Sequence, residues 1–264
     1  MSDAAWSGCR ILVTRPAHQA GDLLAAIRDR GGEPLAFPTI EIGPPGDRSV
    51  WDRVSPDLEG FHWLFFASAN AVWGFARLLG EAGLPWPATP GYAAIGRKTA
   101  GVLQRHVDAA ILTPEDFRSE SFLAMAEMAP ARISGARVLI VRGEEGRELL
   151  PTTLEERGAR VERLPAYTRK CPETDPAPVA AALAEGRLDA AVFTSPETFT
   201  NLLAMLDEAA RRRLAALPLV VISPVTASAI RERGLPEPVV APEASDEGLL
   251  RALEERVCKP RPEQ

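Results

Sequence analysis

Two arginines, Arg15 and Arg142, end matching aliphatic runs and are the clearest charged candidates for chemistry in this chain. A guanidinium placed there can grip a carboxylate through two parallel N–H donations, so the pair suggests an anionic small molecule. An ion pair to a nearby helix is an equally available use of either residue. Four strand ends also deliver small polar residues into helix starts: Ser68-Ala-Asn70, Gly96-Arg-Lys-Thr99, Ser195-Pro-Glu197 and Ser223-Pro-Val-Thr226. Helix starts present backbone N–H groups at the positive end of the peptide dipole, which suits anions. For any single turn, plain capping by Ser or Thr is the better reading; four turns in matched positions favour a binding site. Lys98 opposes the dipole of the helix it opens, a weak pointer to the same anionic partner. Tyr167 is one of only two tyrosines and follows a strand, where a phenol can protonate a leaving oxygen or simply pack. The chain has no Ser-His-Asp or Cys-His pattern and neither glycine-rich nucleotide signature. Gly143-Glu-Glu-Gly146 is a glycine-flanked turn, but its two acids would repel a pyrophosphate. Acid catalysis and positioning are expected, without a nucleotide.

These residues are carried by a sequence that repeats once, at an offset of 127 residues. Arg10-Ile-Leu-Val-Thr-Arg15 lies over Arg137-Val-Leu-Ile-Val-Arg142, Arg30-Gly31 over Arg157-Gly158, and Phe66-Ala-Ser68 over Phe193-Thr-Ser195. Strand and helix alternate in each copy, which predicts an α/β protein with two similar doubly wound, flavodoxin-like parallel-sheet lobes. In the first copy, strands are expected at 11–14, 34–37, 63–66, 92–95 and 110–112, with helices at 18–30, 69–80, 98–104 and 120–128. The second copy has strands at 138–141 and 161–164 around a helix at 148–157. Irregular Pro-rich segments fall inside the copies, at 41–60 and 168–187, whereas only Ala129–Ala136 separates them. Short connections join elements that pack together. The expected lobes are therefore a middle one, 61–167, and a discontinuous one, 1–40 with 188–264, joined by two linker segments. Two sequential domains split near 132 are the alternative. Paired lobes would form a cleft, where small ligands bind.

Composition narrows the partners. The chain is 46% hydrophobic and 25% charged, ordinary for a globular protein, with net charge −6 and no basic block. Nucleic acid is not expected, and no apolar run suits a membrane span. The start has neither the basic flank nor the apolar stretch of a signal peptide. Cys9, Cys171 and Cys258 are odd in number and far apart, which predicts reduced thiols, a cytoplasmic setting and no metal site.

Taken together, Thr14-Arg-Pro16, Phe66-Ala-Ser-Ala-Asn-Ala-Val72, Ala94-Ile-Gly96, Thr99-Ala100, Pro165-Ala-Tyr167, Phe193-Thr-Ser-Pro196 and Ile222-Ser-Pro-Val-Thr-Ala227 resemble the uroporphyrinogen-III synthases. The resemblance implies two α/β lobes, one built from both chain ends. It implies cyclisation of hydroxymethylbilane, with loss of water and inversion of the last ring, by a monomer that needs no cofactor. The substrate would come from hydroxymethylbilane synthase. The family's tyrosine falls on Tyr167, and Ser68, Thr99 and Ser195 are carried over as carboxylate contacts. Thr226 matches a family threonine, but Val225 and Ser223 replace its usual Thr and Gly neighbours, and Ala67 stands where Thr is common. An acidic chain binding eight carboxylates must use aimed donors rather than a broad positive field. A non-enzymatic bilobed small-molecule binder, or a nucleotide-sugar transferase, would share the repeat.

Overall fold

Short aliphatic stretches between polar turns become strands whose side chains alternate between two faces, and each sheet is covered on both. The computed structural model describes residues 6–116 and 118–258. The domain boundaries expected at 1 and 264 thus fall outside it. In chain order come β1 (Arg10–Val13), α1 (Ala17–Asp29), β2 (Glu33–Ala36), β3 (Glu41–Gly43), α2 (Ser49–Val54), β4 (Trp63–Phe66) and α3 (Ala69–Ala82). Next are β5 (Gly91–Ala94), α4 (Arg97–Leu103), β6 (Ile111–Leu112), α5 (Ser119–Leu123), α6 (Pro130–Ile133), β7 (Arg137–Gly143), α7 (Leu149–Glu156) and β8 (Arg160–Lys170). The chain continues with α8 (Ala177–Ala184), β9 (Ala190–Phe193), α9 (Pro196–Met205), α10 (Glu208–Ala215), β10 (Leu219–Val221), α11 (Pro224–Arg231), β11 (Val239–Val240) and α12 (Asp246–Arg256).

The chain divides into two compact units: one joins the residues up to Glu41 with those from Lys170 onward, and the other is Ile42–Arg169. The discontinuous unit has the parallel sheet β11-β10-β9-β1-β2. The continuous unit has the order β3-β8-β7-β4-β5-β6, parallel from β8 to β6. Reading the 127-residue offset onto these orders superposes β6-β5-β4-β7-β8 on β11-β10-β9-β1-β2. The match extends to backbone detail, since Gly31 and Gly158 end their helices at φ of +87° and +88°. Side chains along β1 show the alternation directly. Leu12 enters one core with Phe193 and Phe199, while Ile11 and Val13 enter the other with Leu249 and Leu253.

Several expectations need correction. The segment 41–60 is no irregular linker: it forms β3, α2 and a 3-10 turn at Ser55–Gly60, and buries Trp51, Val54 and Leu58. Its prolines and glycines mark the turns between these short elements, not an open tether. Within 168–187, residues 168–170 finish β8 and Ala177–Ala184 is a helix. The helix expected at 120–128 breaks after Leu123 into a separate 3-10 turn at Ala126–Met128. β8 runs six residues past the end expected at 164. Pro165 is accommodated at an irregularity where Arg142 pairs with Pro165 but Gly143 pairs with Tyr167.

The expected free thiols are also corrected. Cys9 and Cys258 are joined in a disulfide across 249 residues of sequence, and Cys171 alone is free. Sequence distance misleads here because the discontinuous unit brings both chain ends into one core, with Trp6 and Leu253. Reduction should destabilise the fold by about 2–4 kcal/mol. Urea melts with and without reductant measure this, and unreduced protein should take up alkylating reagent at Cys171 alone. Identical melts, or three labelled thiols, would remove the bond from solution. Among the described residues, no helix is long and apolar enough to cross a membrane.

Candidate functional site

The carboxyl ends of β4, β5, β7 and β8 open onto a pocket of about 930 Å³ that lies wholly within the continuous unit. This is where open parallel sheets leave unpaired backbone groups and diverging loops. Ser68, Gly96, Lys98, Thr99, Arg142 and Tyr167, all singled out from sequence, line it. So do Arg118, Arg147 and Arg169, which sequence reading missed. The wall carries five cationic side chains, with Lys98 and Arg142, against the carboxylates of Glu120 and Glu145. In a chain of net charge −6, the pocket is a local positive concentration.

Tyr167 sits where the irregular pairing of β7 and β8 turns its ring toward the pocket, and it is only 7% exposed. Its phenol oxygen is 3.1 Å from Ser68 Oγ. Ser68 caps α3, its Oγ accepting from the Ala71 amide at 3.1 Å. The phenol is therefore tied to a helix start through one hydroxyl. The other tyrosine serves a different purpose. Tyr92 is buried and donates to the Pro87 carbonyl at 2.5 Å, and burial, with Glu59 nearby, pushes its phenol up to about 12.

Arg142 leans along the pocket wall with Nη1 donating to Glu148 at 2.7 Å, and its buried Nε makes no hydrogen bond. Glu148 also accepts from Arg163 Nε, while Arg163 Nη1 and Nη2 both donate to Glu155. Donation from Arg142, then Arg163, holds the Glu148 carboxyl below its ordinary value of 4.5, and Arg163 does the same to Glu155. A carboxyl depressed in the folded state stabilises fully above its unfolded value and loses this as pH falls through the folded one. Thermal midpoints should accordingly stay level above about pH 5 and decline below it, less steeply in Glu148→Gln. A slope equal to wild type would show that Glu148 contributes nothing to acid lability.

Thr99 is buried beneath the start of α4, whose capping residue is Gly96. Asn70 is half-buried in the first turn of α3 and does not line the pocket. On the discontinuous unit, Arg15 follows β1, while Ser195 and Ser223 cap α9 and α11, which follow β9 and β10. Arg15 is 8% exposed and ion-paired with Asp246 at 2.7 Å. Ser195 shares a reciprocal capping box with Thr198. Thr226 is fully buried, its hydroxyl 3.2 Å from that of Ser223. The structural use of these residues is thus filled: ion pair for Arg15, caps for the serines. Among the described residues, no three His, Cys, Asp or Glu side chains gather as around a metal ion.

The family model described as "Uroporphyrinogen-III synthase HemD" matches residues 21–251. The chain is 33% identical to the uroporphyrinogen-III synthase of Synechococcus elongatus, covering 97% of this chain and 98% of that one. It is 34% identical to the Escherichia coli protein of that name, over 92% and 99%. Among solved structures it resembles a mutant uroporphyrinogen III synthase of Thermus thermophilus, with TM-score 0.59 and 23% identity over 94% of this chain and 100% of that one. The likeness to uroporphyrinogen-III synthetase from Helicobacter pylori has TM-score 0.56 and 19% identity, over 92% and 97%. At these identities the structures speak to the fold.

Proposed function

Because the chain belongs to the uroporphyrinogen-III synthase family, we propose that the pocket on Ile42–Arg169 holds hydroxymethylbilane and that Tyr167 releases its terminal hydroxyl as water. The chain is a cyclising lyase: it converts the linear tetrapyrrole to uroporphyrinogen III with its last ring inverted. The observation that carries the residue assignment is a phenol held on Ser68 inside a cation-rich pocket.

The pyrrole nitrogen supplies the electrons that expel the hydroxyl, so the protein need provide only a proton at the departing oxygen. Either hydroxyl of the Ser68–Tyr167 pair can donate; when Ser68 O–H donates to the phenol oxygen, the Tyr167 proton is left for the substrate. The azafulvene so formed is attacked by the substituted carbon of the last ring. The resulting spiro intermediate fragments and recloses inverted, and a final proton loss restores the aromatic ring. Uncatalysed closure runs head to tail, so holding the bilane in the productive conformation is the larger task. Arg142 and Lys98 take carboxylates, while Gly96 and Thr99 shape the same wall. The working form is a cytoplasmic monomer supplied by hydroxymethylbilane synthase.

A coupled assay tests the activity: bilane generated in place, this protein added, and the oxidised isomers separated. Isomer III is the expected product. Isomer I alone, from folded protein, would leave a non-enzymatic binding protein as the better reading. Ser68→Ala should cost about 1 kcal/mol of stability as a lost cap and raise KM severalfold. An unchanged KM would remove Ser68 from the site.

A further inference from the structure

We propose that Gly143 and Gly146 are positioning residues, each leaving vacant the space that one working side chain of the pocket occupies. The proposal rests on the assignment of Tyr167 and Arg142 made above. A Cβ added at Gly143 would lie 2.9 Å from Tyr167 Cζ and 3.2 Å from its hydroxyl oxygen. A Cβ added at Gly146 would lie 2.9 Å from Arg142 Cδ and 3.0 Å from its Nε. Real Cβ atoms essentially never come within 2.9 Å of a neighbour, so beside alanine each side chain must shift.

Backbone conformation does not explain these glycines. Neither has the positive φ found at Gly31, Gly83 or Gly158, so alanine fits the chain at both positions. The turn itself has little freedom to retreat. Glu144 N–H donates to the Tyr167 carbonyl at 3.0 Å, and the Glu144 carboxylate accepts from Gly46 N–H at 2.6 Å. What gives way is the outer end of the phenol ring or the guanidinium arm. Gly143-Glu-Glu-Gly146, read from sequence as a poor phosphate loop, is on this view a template for two side chains. One slot sets the phenol against Ser68, and the other sets Arg142 against Glu148.

Gly143→Ala is expected to lower kcat about tenfold or more, with KM little changed, because a displaced acid acts in the transition state. Gly146→Ala should instead raise KM about three- to tenfold. Each effect should vanish when the crowded side chain is absent: Gly143→Ala is silent on a Tyr167→Ala background, and Gly146→Ala on Arg142→Ala. If Tyr167→Ala and Arg142→Ala are impaired while the glycine variants are normal, or their losses add to the background, the positioning role is overturned. Normal kinetics in Tyr167→Ala and Arg142→Ala would overturn the underlying assignment instead. Thermal midpoints provide a readout independent of activity. Any destabilisation or failure to fold in Gly143→Ala should be relieved by Tyr167→Ala. A double variant as unstable as the single one would overturn the proposed contact.

Discussion

Tyr167→Phe is expected to lower kcat for isomer III by roughly ten- to a thousandfold, the range for loss of a positioned proton donor. Phenylalanine keeps the ring that packs against Gly143, so only the hydroxyl and its bond to Ser68 are lost. The substrate still loses water slowly by itself, and the bilane that escapes closes to isomer I. The isomer ratio should therefore shift toward I as kcat falls, while KM stays near wild type because the carboxylate-binding cations remain. Steady-state rates with chromatography of both isomers measure all three quantities. Wild-type turnover would remove Tyr167 as the acid and leave water or another pocket group in that role.

Gly74→Ala should be the most damaging single methyl group in the continuous unit. Gly74 lies on α3 where the helix crosses β8, and an added Cβ would sit 2.3 Å from the Ala166 carbonyl oxygen and 2.8 Å from its carbon. These are backbone atoms and cannot swing aside. The irregular pairing near Pro165 leaves that carbonyl facing α3, where Arg77 also donates to it at 3.1 Å. Alanine must push helix and strand apart, at about 3 kcal/mol, or roughly 6–12 °C in Tm. The same movement separates Ser68 at the helix start from Tyr167, the residue after Ala166, so turnover should fall as well. Gly80→Ala is the matched control, because nothing lies within 4 Å of its added Cβ and the helix interior favours alanine. Equal midpoints for the two variants would refute the close approach.

The fold was largely legible because its signals are local and occur twice. Hydrophobic runs such as Ile11–Val13 and Leu64–Phe66 announce buried strands, and the 127-residue offset ties each to its counterpart. What stayed hidden depends on contacts distant in sequence. Cys9 and Cys258 look unrelated until both chain ends share one core. Arg169 lies two residues beyond Tyr167 on the same strand, and strand periodicity would have placed both on one face. Pro165 disguised the continuation of that strand. Arg118 and Arg147 stand in loops, where no period exists to aim a side chain. The reverse case is Arg15: its charge was conspicuous, but the Asp246 that engages it lies 231 residues away.

The strand order of the discontinuous unit has a consequence for how the protein is made. β1 is an interior strand, flanked by β2 and by β9, which begins at Ala190. A ribosome adding residues at the usual rate needs about 10–35 s to travel from β1 to β9. Throughout that time Ile11, Leu12 and Val13 are synthesised but lack one of their two neighbours. The stretch Ile42–Arg169, by contrast, is uninterrupted and can collapse as soon as it has emerged. Birth order and completion order are therefore opposite: β1 is translated before Ile42–Arg169 but completed after it, and the nascent chain carries a sticky, half-paired ribbon until β9 has emerged.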